Sequence, residues 1–279
     1  MPTLWRATAV ELRKLFAQRG SYVGFAVLGA MVALIVWGSW RHAPDFTRRH
    51  QIAGDEMLVA GKMVAAPSVL QFILPATMEV LMPLLIAAVA GGLVAGEVRS
   101  GTMRTLLVRP VTRLQVLGAK TVAAWVYTAS LCLFVVIAAG ALSYAVFGPG
   151  DMVSVIGGQL VLFGHEQAVA RLVLAYALAT VGRCALAALA VMFSCLFDNA
   201  LAAAAMTVAV LIVFGALTQI PYFETWKPYF LTHFMDVYRL PLHADVPWRE
   251  VALRLGGLLA YVAAALAVAA VAFSRRDIH

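Results

Sequence analysis

Residues Thr121–Phe147 read TVAAWVYTASLCLFVVIAAGALSYAVF, twenty-seven residues without one Asp, Glu, Lys, Arg or His. A helix of that length rises about 40 Å at 1.5 Å per residue, enough to cross the hydrocarbon of a bilayer with some tilt. Five further stretches are charge-free or nearly so: Ser21–Trp40, Val69–Ala95, Leu172–Phe197, Ala200–Ile220 and Leu255–Phe273. All six reach the roughly 17–25 residues a spanning helix requires. The first is too long for a signal-peptide core, and no small-residue cleavage site follows it. Ten-residue polar-apolar alternation is missing, which excludes an outer-membrane barrel. The reading is an all-α integral membrane protein, one transmembrane domain over residues 1–279.

Composition agrees. The 279 residues are 63% hydrophobic and 13% charged, with mean hydropathy +0.88. Soluble domains hold about 45–50% apolar and about 25% charged residues. Too few charges remain to cover a globular surface, so a soluble enzyme and a disordered chain are both excluded. Cys132, Cys184 and Cys195 all lie in apolar runs, so no disulfide framework is implied.

The net charge of +7 acquires a location once the spans are placed. With the N-terminus inside, the inner segments are 1–20, 96–120, 198–199 and 274–279. These hold eleven Lys and Arg in about 53 residues, whereas the outer loops hold nine in about 86. The positive-inside rule therefore places both termini in the cytoplasm and the chain in the inner (plasma) membrane.

Local signals mark the boundaries. Ser68 with Gln71, and Thr112 with Gln115, fit capping boxes. Pro75 and Pro83 predict kinks inside the second span rather than breaks. Asp198-Asn199 predicts a tight turn between the fourth and fifth spans. In residues 1–20, Trp5, Ala9, Leu12 and Phe16 recur at helical spacing while Arg6, Arg13 and Lys14 fill other faces, predicting an amphipathic interfacial helix. Residues 221–254 carry Tyr222, Trp226, Tyr229, Tyr238 and Trp248 among four prolines, an outer interfacial segment. Val153–Gly164 is read as another shallow outer helix.

The segment after the second span carries the most information. It holds Glu97, Gly101-Thr102, Arg104, Leu106-Leu107, Arg109, Pro110 and Arg113, closing with Gly118-Ala119-Lys120. A short helix broken at Pro110 would expose two leucines inside a basic rim, an apolar knob with charged edges suited to docking a protein. The same arginines also serve the positive-inside bias.

On these residues the chain resembles the type-2 ABC permeases, the membrane subunits of exporters driven by separate ATPases. The six spans, the amphipathic N-terminal helix and Phe273-Ser274-Arg275-Arg276 extend the likeness over the whole chain. The resemblance implies that Glu97, Gly101, Thr102, Arg104, Leu106, Leu107, Arg109, Pro110 and Arg113 form a coupling helix that meets a cytoplasmic ATPase. It also implies short re-entrant helices within 221–254, two copies of that ATPase, a second permease, identical or related, and ATP and Mg bound by the partner rather than by this chain.

Glu79 and Arg183 are the charged residues well inside predicted spans, and such residues are functional candidates. They lie about ten and eleven residues into spans of the same direction, hence at similar depth. They are expected to neutralise each other or to face a common polar cavity. A Walker phosphate loop, a His-Glu-x-x-His helix, a Gly-x-Ser-x-Gly elbow and a Cys-x-x-Cys pair do not occur in the sequence. No catalytic or metal-ligating set is therefore assigned. The alternatives are an ion-coupled secondary transporter using Glu79 and, more weakly, a membrane-embedded enzyme acting on lipids.

Overall fold

The computed structural model describes residues 4–51, 65–99, 112–156 and 159–275. It is a helical bundle in which six helices are long and apolar enough to cross a membrane. Helix α1 (Leu4–Ala17) precedes α2 (Arg19–Gln51). The second span is composite: α3 (Ala66–Ala76), a π-helical turn at Thr77–Leu81, and α4 (Met82–Arg99). Then follow α5 (Arg113–Phe147), strands β1 (Met152–Ile156) and β2 (Gln159–Phe163), α6 (His165–Leu196) and α7 (Ala200–Leu217). Short 3₁₀ turns at Pro221–Phe223 and Lys227–Tyr229 lead to α8 (Leu231–Met235), a 3₁₀ stretch at Asp236–Leu242, and α9 (Trp248–Arg275). The chain is an all-α, multi-pass membrane protein.

The helices outrun the apolar stretches that predict them. Helix α5 begins at Arg113 and α6 at His165, eight and seven residues before their charge-free runs, because a helix continues beyond the hydrocarbon when its polar first turns are capped. Thr112 does this for α5: its hydroxyl accepts from the Gln115 amide at 3.3 Å and the Gln115 Oε1 accepts from the Thr112 amide at 3.1 Å, the expected capping box. The other predicted box is not formed. Helix α3 starts at Ala66 with Pro67 in its first turn, so Ser68 lies inside the helix. Proline favours the first helical positions, and here it moves the start upstream. Gln71 instead donates to Ser154 Oγ at 2.9 Å, joining α3 to β1. The turn at Asp198-Asn199 is tight as expected, with the Asn199 side chain accepting from the Leu201 amide at 3.0 Å.

The expected shallow helix at 153–164 is an antiparallel hairpin, with Met152 opposite Phe163 and Ile156 opposite Gln159. The two prolines of the second span flank a π turn rather than two simple kinks. Pro83 has no N–H to give to the carbonyl four residues back, at Glu79, and its ring crowds that carbonyl. The wider turn takes up the misfit. Thr77 Oγ1 donates to the Ile73 carbonyl at 2.7 Å on the α3 side.

Helix α6 is the most buried span and forms the centre of the bundle, while most of α7 and α9 faces outward. Its contact with α4 is held by Ser194, whose hydroxyl donates to the Gly91 carbonyl at 2.6 Å and accepts from the Val94 and Ala95 amides at 3.0 Å each. Gly91 also permits the approach of α7: a Cβ there would lie 3.0 Å from the Ala204 amide nitrogen. Small residues at helix contacts are how spans associate where lipid removes the hydrophobic drive between them.

Candidate functional site

Two charged regions lie at opposite ends of the bundle. The first begins on α1. Its buried face is Thr8, Glu11 and Leu15, with Leu12 and Phe16 partly covered, whereas Trp5 is 77% exposed. The inward stripe is therefore rotated from the predicted Trp5–Phe16 line and includes an acid. Lys120 of α5 is fully buried and explains that acid, since its Nζ lies 3.0 Å from Glu11 Oε2 and 2.7 Å from Glu97 Oε2. Lys14 completes the set, paired with Glu97 and 3.8 Å from Glu11 Oε1. Two carboxylates and two ammonium groups from α1, α4 and α5 thus alternate in one node. Burial pulls Lys14 down, but the hydrogen bond to Glu97 and the Glu11 and Glu97 charges outweigh it and hold its pKa above its ordinary value.

The junction above this node is similarly tied. Tyr127 of α5 donates to the Ser21 carbonyl at 3.1 Å, and Ser21 Oγ donates to the Leu15 carbonyl at 2.6 Å. A cavity of about 630 Å³ opens beside it, lined by Glu11, Lys14, Gln18, Gly92 and Glu97 among others. Of the residues expected to couple to a partner, Glu97 belongs to this node. Arg113 donates to the Phe273 and Ser274 carbonyls at 3.2 and 3.0 Å, so its charge sits on the negative end of α9. Gly101, Thr102, Arg104, Leu106, Leu107, Arg109 and Pro110 lie outside the described residues.

The second region is at the hairpin end. Glu79, in the π turn, pairs with Arg239 and accepts from Tyr238 Oη at 2.6 Å. Arg183 of α6 does not contact it: among the described residues no carboxylate oxygen lies within 4.0 Å of that guanidinium, and its Nε has no hydrogen-bond partner. Glu79 and Arg183 nonetheless line one cavity of about 440 Å³, together with Lys227, Thr232, Asp236 and Arg239. Arg183 is 3% exposed.

The walls of this cavity are held by side chains that donate to backbone carbonyls. Arg171 of α6 donates to the carbonyls of Pro241, His243 and Ala244 at 3.0–3.1 Å, and its guanidinium stacks 5.4 Å from the Phe163 ring centroid. On the opposite side Tyr261 of α9 donates to the Tyr229 carbonyl at 2.6 Å. The aromatic segment therefore divides in two. Tyr222, Trp226, Tyr229 and Trp248 are exposed, as interfacial anchors should be, but Tyr238 is buried and serves Glu79.

Electrostatics follow the burial. Asp236 is pushed up by burial and by the Glu79 charge, although Arg239 opposes this. Burial and the hydrogen bond to Glu79 also push Tyr238 up. Burial alone would lower Arg239, but Tyr238, Asp236 and Glu79 raise it well above its usual value. His233 is lowered by burial and by the neighbouring Arg254.

Reasoning from sequence missed Lys120, Glu11, Tyr238 and Arg239. Lys120 ends the Gly118-Ala119-Lys120 triad and Glu11 stands three residues before Lys14, which were usable signals. Arg239 and Glu79 are 160 residues apart, and nothing local connects them. Among the described residues, no group of three His, Cys, Asp or Glu side chains is arranged to hold a metal ion.

No curated protein matches the chain. Residues 57–279, from before the second span to the end of the sequence and including both charged regions apart from α1, match DUF2705, described as a protein of unknown function. That match covers well over half of the sequence, and the chain belongs to the DUF2705 family.

Proposed function

We propose that this protein is the membrane subunit of an ATP-driven exporter, working with a second permease and two copies of a cytoplasmic ATPase that binds ATP and Mg. In this reading the α1 end of the bundle faces the cytoplasm of the inner membrane, and segment 96–120 meets the ATPase through Leu106, Leu107 and their arginine rim. The chain itself is not an enzyme; hydrolysis belongs to the partner.

The observation that supports this best is the node of Glu11, Lys14, Glu97 and Lys120. Glu97 and Lys120 stand on either side of the 100–111 segment and are joined to each other and to α1. A displacement of that segment is therefore passed to three helices at once rather than absorbed by a loose loop. The ion-coupled alternative needs an acidic group free to exchange protons. Glu79 is instead engaged by Arg239 and by the Tyr238 hydroxyl.

Affinity purification of the full chain from its native membrane tests this. An ATPase carrying a phosphate loop should co-purify, and Leu106→Asp with Leu107→Asp should release it while leaving the membrane subunit folded. A monodisperse preparation without any ATPase, active in proton-coupled transport after reconstitution, would overturn the exporter reading.

A further inference from the structure

Three charged residues are buried among the described ones: Glu11, Lys120 and Arg183. The first two neutralise each other at 3.0 Å. Arg183 has no ion pair and no hydrogen bond among the described residues, yet it lines a cavity of about 440 Å³. Thr232, whose buried hydroxyl also lacks a partner, lines the same space. A buried donor without an acceptor is costly, and two of them on one cavity indicate an acceptor that enters from outside the chain.

The lining gives that acceptor its charge. Arg183, Lys227 and Arg239 are cationic and Glu79 and Asp236 are acidic. Arg239 is matched by Glu79 and lies 3.8 Å from Asp236, and Lys227 lies 3.7 Å from Glu224, so among the described residues the one cation of the lining left without an ion pair is Arg183. Glu79 and Asp236 would repel a dianion, whereas a monoanion balances the site. The guanidinium fork takes two oxygens of one anion, and Thr232 and Lys227 offer donors for others.

We propose that this cavity binds a phosphodiester monoanion through Arg183, with Thr232 and Lys227 as supporting donors. The chemistry is shared by phospholipid headgroups and by soluble phosphodiesters. The site does not depend on the exporter reading, because binding requires no ATPase.

The test uses the purified full-length chain in nonionic detergent. Dioctanoylphosphatidylglycerol, glycerophosphoglycerol and the phosphate-free dioctanoylglycerol are titrated separately, followed by native mass spectrometry and by the midpoint of thermal unfolding. The phosphodiester probe should bind and raise the midpoint, and dioctanoylglycerol should do neither. Binding of glycerophosphoglycerol at equal strength identifies a soluble ligand; binding of the acylated probe alone identifies a lipid headgroup. Arg183→Gln should weaken the phosphodiester about ten-fold or more. The same variant should unfold at a higher temperature than wild type without probe, because it removes an unpaired buried charge. Should it not fold, Thr232→Val should still weaken binding by a few-fold. Failure of both phosphodiester probes to bind wild type, or equal binding by Arg183→Gln, overturns the proposal. So does a fall in the unfolding midpoint of that variant with no change in binding, which would make Arg183 a packing residue.

Discussion

The node at the α1 end and the cavity at the hairpin end are built from the same kinds of side chain, yet they differ in how their charges balance. At the node, Glu11 and Glu97 face Lys14 and Lys120, one acid for each base, with Lys120 wholly enclosed. At the cavity, Arg239 is matched by Glu79 and Asp236 and Lys227 by Glu224, but the most buried cation, Arg183, faces open space and touches no carboxylate among the described residues. A matched set closes on itself and behaves as a joint between helices. An unmatched set retains an electrostatic demand that something else must meet. Burial alone therefore does not separate a structural charge from a receptive one; the local balance does.

The largest effect that could break this contrast is expected at Lys120. Replacing it by Met leaves the buried Glu11 and the partly buried Glu97 with Lys14 alone between them, and removing one partner of a buried pair destabilises by about 3–5 kcal/mol. Thermal or denaturant unfolding in detergent measures it, and adding Glu11→Gln should recover part of the loss. A loss below about 1 kcal/mol would mean that the node is not a joint. Next comes a change that touches neither region. Gly91→Val drives side-chain atoms into the α7 backbone at Ala204, 3.0 Å from the Cβ position, and overpacking of this kind costs about 1–3 kcal/mol. Smaller still is Glu79→Gln. Its pair with Arg239 is 41% and 53% exposed, so stability should change by about 1 kcal/mol or less; a loss as large as that at Lys120 would erase the distinction between the two ends.

The smallest effects are in pH, and they fall on opposite sides of neutrality. His233 has a folded pKa below 6.5, so the unfolded chain binds its proton first. Its contribution is complete above about pH 6.5 and is lost as pH falls through the lowered value. Asp236 acts the other way closer to pH 3.8, because its raised carboxyl takes a proton earlier in the folded state. Lys14 has a folded pKa above 10.5, so its contribution is complete below 10.5 and is lost as pH rises through the folded value. Unfolding midpoints across pH should show His233→Gln flattening only the acid limb and Lys14→Met only the alkaline limb. An acid limb unchanged in His233→Gln would dismiss the first assignment.

The spans were legible in the sequence because each hydrocarbon crossing is a long run with almost no charge, a signal that context rarely overrides. Their ends were less so, since Arg113 to Lys120 is helical outside that run through its capping box. The hairpin was misread as a helix. Val153, Val155, Leu160 and Leu162 belong to a short apolar stretch, and in a chain so rich in helix-forming alanine such a stretch reads either way. Of the candidate site, Glu79, Glu97 and Arg183 stood out because charge is rare here. Their partners did not. Lys120 looked like one more cytoplasmic base, and Arg239 and Tyr238 looked like members of an interfacial belt. Pairing is a property of the packed bundle, and depth along two helices says little about which faces meet.

The π turn at Thr77–Leu81 has a consequence for how this chain can change length. A deletion within an ordinary spanning helix turns everything beyond it by about 100°. A π turn already holds one residue in excess of the α-helical count. Removing Val80, which is 65% exposed on the outward face, would bring α3 into line with α4 while the far end keeps its bearing, so that Glu97 still meets Lys120, at the cost of the proline misfit at Pro83 that the turn relieves. The second span thus contains built-in slack, placed at the residue that reaches for Arg239. Single-residue length variation could retune that end of the molecule without unfastening the other.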